Sequence, residues 1–130
     1  MTMVRSPGAT PSYFKALVIS VPLLIGCQLF FVGFAVFADG VAWDWHRALG
    51  GGIGAVILAV LLATWLQPSL RAYRAAAAVL LVLYSFQFVW LGLGAVFESG
   101  AVRALHAANA MLLTAVSVLI ARRTVGRFSS

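Results

Sequence analysis

The sequence predicts an all-α integral membrane protein, a four-helix bundle built from two repeated helix hairpins with both termini on the cytoplasmic side. Three observations carry that expectation. Only 9% of the 130 residues are charged, against 63% hydrophobic, a balance far from that of soluble domains. The few charges are spaced at intervals of membrane-spanning length. A short motif also recurs sixty residues after its first appearance.

The spacing locates the helices. No charged residue lies between Lys15 and Asp39, Arg47 and Arg71, Arg74 and Glu98, or Arg103 and Arg122, gaps of 23, 23, 23 and 18 residues. A helix rising about 1.5 Å per residue needs roughly 20 apolar residues to cross a hydrocarbon core of about 30 Å. The fourth gap reaches that length if its helix opens near Ala101, with Arg103 at the headgroups. Unpaired backbone groups cannot face lipid, and runs of this length suit helices better than barrel strands. The expected spans are 16–38, 43–66, 72–97 and 101–121, preceded by a cytoplasmic segment 1–15 and followed by a basic tail 122–130.

Orientation follows from the basic residues. Arg5, Lys15, Arg71, Arg74, Arg122, Arg123 and Arg127 fall on one face of the membrane and only Arg47 and Arg103 on the other, which places the termini inside. All three acids, Asp39, Asp44 and Glu98, lie on the outer side. The net charge of +6 is thus read as a topology signal, and the lipid bilayer rather than nucleic acid as the partner, because the basic residues are scattered over short segments beside apolar spans. Val36-Phe37-Ala38 could mimic a signal-peptide cleavage site, but the apolar run before it is longer than a usual signal core. Cys27 is the single cysteine and excludes an intramolecular disulfide. Arg outnumbers Lys eight to one, a habit of GC-rich bacterial genomes, so the expected home is a bacterial cytoplasmic membrane.

The repeat organises the spans. Ala35-Val36-Phe37-Ala38-Asp39-Gly40 matches Ala95-Val96-Phe97-Glu98-Ser99-Gly100 at an offset of sixty, and His46 matches His106 in the same register. Gln28 and Gly33 match Gln87 and Gly92 at fifty-nine, which implies either a local bulge or a chance likeness. Each copy holds two spans, so the copies run in the same direction about an axis along the membrane normal. Connections this short make consecutive helices antiparallel neighbours in a bundle.

His46 and His106 are the only histidines, and each opens an even-numbered span at the same depth. An ionisable side chain facing a bundle interior is a functional hypothesis in its own right. Residues related by a central axis can point at each other, and diagonal helices of such a bundle lie roughly 12–14 Å apart. That separation admits a porphyrin edge-on between two imidazoles. Gly50 and Gly54 follow His46 on the same face, Arg47 adjoins it, and Arg103 shares the face of His106. The glycines would leave room for a flat macrocycle, and the arginines would meet its carboxylates. Gln28, Gln87 and Asn109 offer polar partners for the second imidazole N–H.

Each of these residues also has a plainer role. Interfacial histidines contact headgroups, Gly50 and Gly54 form a helix-packing motif, the two arginines snorkel, and the glutamines and Asn109 join helices. Trp43, Trp45, Trp65 and Trp90 suit interface anchors or lipid-facing bulk. Asp44 beside His46 hints at zinc, but two histidines and one acid make a poor zinc site.

Trp45-His46-Arg47-Ala48-Leu49-Gly50 and Leu105-His106-Ala107-Ala108-Asn109-Ala110, each opening a span, resemble an uncharacterised family of small four-span bacterial membrane proteins. The arrangement is also similar to one four-helix half of haem A synthase. That second resemblance implies that His46 and His106 are axial haem ligands. Haem A synthase usually carries an acid three residues before its His-Arg pair; here Trp43 holds that place and Asp44 the next, a departure that bears on oxidising chemistry more than on haem ligation. The expected function is a small b-type cytochrome holding one haem b for electron transfer or haem handling, alone, as a homo-oligomer or beside a larger membrane redox complex. Its rival is a cofactor-free structural or assembly subunit. A transporter is disfavoured because no span carries a midplane acid or base.

Overall fold

The computed structural model describes residues 10–126, so Arg5 and Arg127 of the orientation count lie outside the described residues. Four helices form: α1 (Ser12–Phe37), α2 (Ala42–Leu66), α3 (Arg74–Val96) and α4 (Gly100–Val125), with a 3-10 helix Pro68–Tyr73 leading directly into α3. All four are long and apolar enough to cross a membrane. The chain is therefore an all-α, multi-pass four-helix membrane protein. The helices run past the charge-free gaps, taking in Lys15 at one end and Arg122 and Arg123 at the other, because long basic side chains can lie along the helix and reach the headgroups.

The helices form a ring. α1 packs on α2 and α4, and α3 packs on the same two, so α2 and α4 stand diagonally across the centre. The bundle sides are apolar: Leu23, Leu29, Phe30, Leu62, Trp65 and Leu119 all turn outward, as lipid rather than water demands. Serine and threonine hydroxyls in the spans are satisfied within their own helices, with Thr64 bonded to the Leu61 carbonyl, Thr114 to that of Ala110, and Ser117 to that of Thr114. Thr64, Ser117 and Thr124 can thus be fully buried at places where helices approach closely.

The two hairpin turns use equivalent residues. Asp39 Oδ1 accepts from the Val41 N–H at 2.9 Å, and Ser99 Oγ caps α4 by accepting from the Val102 N–H at 3.3 Å. The preceding helices also close alike, Asp39 N–H donating to the Phe34 carbonyl and Ser99 N–H to that of Gly94. In the second turn Glu98 takes a left-handed conformation, φ 49°, a position glycine fills most easily.

The closed apolar core fills the basic half of the bundle. Phe14, Val18, Val21 and Ile25 of α1 meet Ile53, Ile57 and Val60 of α2, Leu70 and Tyr73 of the 3-10 helix, Ala77 and Leu80 of α3, and Leu113 and Ile120 of α4. The three-and-four spacing within each helix is that of one buried face. Beyond Ile25, Ile53, Leu80 and Leu113, Ala42 is the one buried apolar side chain among the described residues. The outer half of the bundle has no closed apolar core, and the histidines lie within it.

Candidate functional site

His46 and His106 each precede a core residue by seven positions, Ile53 and Leu113 respectively. Seven residues of helix are about 10 Å, so both rings stand two turns outward from the last apolar layer. Each is half-buried. Their ring centroids are 6.3 Å apart with planes inclined at 62°, an approach across the diagonal between α2 and α4.

Both imidazoles face a main-chain carbonyl of their own hairpin. His46 Nδ1 faces the main-chain carbonyl of Gln28 at 3.4 Å, and His106 Nδ1 faces that of Gln87 at 3.0 Å. A carbonyl only accepts, so a neutral ring that bonds it does so through a protonated Nδ1 and keeps its lone pair on Nε2; at His106 the Gln87 amide nitrogen also lies 2.9 Å from Nδ1 and competes for it as a donor. The Gln28 and Gln87 match, displaced by one residue from the sixty-residue register, is therefore a true equivalence: each glutamine presents its carbonyl to the histidine of its own hairpin.

The glutamine side chains differ. Buried Gln87 is fully engaged: in the amide orientation that satisfies both ends, its nitrogen donates to the His106 carbonyl and to His106 Nδ1, each at 2.9 Å, while its oxygen accepts from Asn109 Nδ2 at 2.8 Å and from the Ala110 N–H at 3.0 Å. Asn109, also buried, donates to the Leu83 carbonyl at 2.8 Å and ties α4 to α3. Gln28 Oε1 is buried without a hydrogen-bond partner, and its Nε2 lies 3.0 Å from where a Cβ on Gly50 would stand.

The glycines expected to leave open room are covered by protein. The Tyr84 phenol rests over Gly54, where an added Cβ would come within 2.5 Å of its Cζ, and its hydroxyl donates to the Gly50 carbonyl at 3.0 Å. Arg47 pairs with the Asp44 carboxylate one turn earlier, both side chains remaining exposed. The Arg103 stem lies over Gly94, whose added Cβ would stand 2.8 Å from the Arg103 main-chain nitrogen. Trp43, at the position matching Arg103, sets its ring edge against His46, with centroids 5.7 Å apart.

Tyr84 and Gly94 escaped the sequence reading. Tyr84 continues the inward face of Ala77 and Leu80 to Gln87, and that spacing was the available signal. Gly94 has Phe34 as its repeat counterpart, so the motif comparison hides it.

Two imidazoles bonded in trans to one metal at about 2.0 Å would have ring centroids roughly 6 Å apart, near the separation found. Among the described residues no three His, Cys, Asp or Glu side chains gather. Two imidazoles alone fall short of the three or four protein ligands of a bare zinc-type site.

Fold and site together define a small multi-pass membrane protein with a histidine pair between its two hairpins. The chain belongs to a family of unknown function, DUF6220, whose sequence model matches residues 28–95, a stretch that includes Gln28, His46, Tyr84 and Gln87 and ends before Arg103 and His106. No curated protein and no solved structure matches the chain.

Proposed function

We propose that the chain is a small b-type cytochrome-like protein of the bacterial cytoplasmic membrane, with both termini inside, holding one haem b between His46 and His106 for electron transfer or haem handling. The observation that carries the reading is the 6.3 Å approach of two imidazoles from equivalent places in the hairpins, each with Nδ1 against a main-chain carbonyl. With Nδ1 protonated against its carbonyl, each Nε2 would be free to bind iron, and the carbonyl would hold the ring that bears it. The half of the bundle away from the basic end has no closed apolar core and buries the polar Gln87 and Asn109, and it is the half a macrocycle would have to enter, displacing the Tyr84 cover of Gly54. Arg47 and Arg103, near the start of α2 and α4, would meet its carboxylates, Arg47 by releasing Asp44. His46 and His106 would hold the haem, which would supply reversible one-electron transfer when bound. The likeness of Trp45-His46-Arg47 and Leu105-His106 to one half of haem A synthase belongs to the same proposal and rests on those short motifs alone.

A second reading, a cofactor-free subunit of a larger membrane complex, has an observation of its own: Gln28 and Tyr84 cover the Gly50 and Gly54 surface, so protein already fills part of the seat. The protein purified in detergent from haem-replete cells separates the two. The cytochrome reading expects a sharp α band in the reduced-minus-oxidised spectrum that disappears in His46→Ala and in His106→Ala. A colourless, folded, haem-free protein that co-purifies with stoichiometric larger partners would replace it with the second.

A further inference from the structure

Among the described residues no acidic side chain lies at the basic end of the bundle. Among the described residues Lys15, Arg71, Arg74, Arg122 and Arg123 lie at this end, while Asp39, Asp44 and Glu98 all lie at the other, a full span away. Two of the arginines are spoken for. Arg74 donates to the Thr64 carbonyl at 2.8 Å and lies over the Trp65 ring at 4.7 Å, closing the end of α2. Arg71 donates to the Pro68 carbonyl at 3.1 Å.

Arg122 and Arg123 are placed differently. They border an open cleft of about 640 Å³ between the 3-10 helix and the end of α4, lined by Ala72, Tyr73, Leu119, Arg122, Arg123 and Gly126. Both arginine side chains are exposed. The wall on the hydrocarbon side is Leu119, itself half exposed at 53%, and the Tyr73 hydroxyl reaches the Arg123 carbonyl at 3.4 Å. Arg122 also borders a second, apolar cleft with Ala121, Val125 and Gly126. A cationic rim above an apolar wall at headgroup depth matches a molecule with an anionic head and a hydrocarbon tail. Forked guanidinium donors suit phosphate oxygens, and basic pockets at this face of membrane proteins are suited to anionic headgroups.

We propose that the cleft between the 3-10 helix and the end of α4 is a binding site for the headgroup of an anionic phospholipid, with Arg122 and Arg123 as its phosphate ligands. The site is independent of the histidine pair, which lies at the opposite end of the bundle. Its occupant would fasten the end of α4 to the 3-10 helix in one leaflet.

Native mass spectrometry of the full-length protein, released from detergent with phosphatidylglycerol or phosphatidylcholine of identical chains, tests this. Retained phosphatidylglycerol and little phosphatidylcholine are expected from the parent protein, with retention in Arg122→Gln/Arg123→Gln roughly tenfold weaker. Lys15→Gln/Arg71→Gln removes the same charge at the same end outside the cleft and is expected to retain the lipid as the parent does. Thermal melts in detergent establish that both variants are folded; if the arginine pair cannot be removed without unfolding, Leu119→Asp closes the tail path and is expected to weaken retention likewise. Equal loss in both double variants would reduce the effect to diffuse charge and overturn the site. Displacement of phosphatidylglycerol by millimolar inorganic phosphate would overturn the lipid assignment in favour of a free-phosphate site.

Discussion

His46 and His106 stand sixty residues apart in the chain and 6.3 Å apart between ring centroids. The approach follows from the duplication. Two hairpins running the same way place equivalent residues at equal depth, and the ring order of the helices sets α2 and α4 on a diagonal. Each ring is then aimed by the main chain of its own hairpin, through Gln28 or Gln87. A backbone carbonyl on a packed helix is a positioning device that side-chain substitution does not readily remove.

The cover over Gly54 makes a coupled pair. Gly54→Ala would drive a Cβ into the Tyr84 ring and break its bond to the Gly50 carbonyl, a cost of about 1–3 kcal/mol typical of overpacking. Tyr84→Ala alone loses that bond and the ring's packing. The double variant is expected to cost less than the sum of the two, because the clash no longer exists. Thermal or denaturant melts of the four proteins measure the coupling, and strict additivity would remove the contact from the account. Gly51→Ala, which meets nothing within 4 Å, is expected to be neutral or to stabilise by up to about 1 kcal/mol through helix propensity.

Gly94 is where α3 admits the start of α4. A Cβ there meets the Arg103 main-chain nitrogen at 2.8 Å, and the backbone cannot swing aside as a side chain can. Gly94→Ala is expected to destabilise by about 1–3 kcal/mol, while Gly92→Ala, with nothing within 4 Å, is expected to be tolerated. Paired melts check this, and equal stability of the two variants would contradict the close approach.

Gln87→Leu separates side-chain support from main-chain positioning. It removes the amide's bonds to the His106 carbonyl, His106 Nδ1, Asn109 and Ala110 but leaves the Gln87 carbonyl that faces the same Nδ1. A stability loss of about 1–2 kcal/mol is expected, toward the smaller values found for bonds within membranes. Haem content per protein is expected to stay at the parent value. A loss of haem as complete as that in His106→Ala would show that the amide, not the carbonyl, orients the ring.

The four spans were open to reading because a charge inside hydrocarbon is costly, so the gaps between charged residues mark them. The helix ends were less so. Lys15, Arg122 and Arg123 lie within helices, since a flexible basic side chain reaches water from a buried turn, and a charge therefore marks the membrane boundary rather than the helix end. The equivalence of the two histidines was visible in the repeat. Their aiming was not, because it depends on main-chain carbonyls, which a one-residue shift at the glutamines disguises. Tyr84 has Leu24 or Ile25 as its counterpart, so its bond to Gly50 breaks the symmetry and no repeat could announce it. The one-sided core was hidden for a related reason: every span is apolar on all faces, and lipid-facing and core-facing residues are alike in composition.

The claim on which the functional account stands is that both imidazoles bind one iron. Electron paramagnetic resonance of the oxidised protein, purified with its native haem complement, examines that claim directly. The account predicts a low-spin ferric signal in the parent protein, with one haem per chain, that is lost or converted to high spin in His46→Ala and in His106→Ala alike. A haem-free parent from haem-replete cells, or a signal that survives either substitution unchanged, would contradict it.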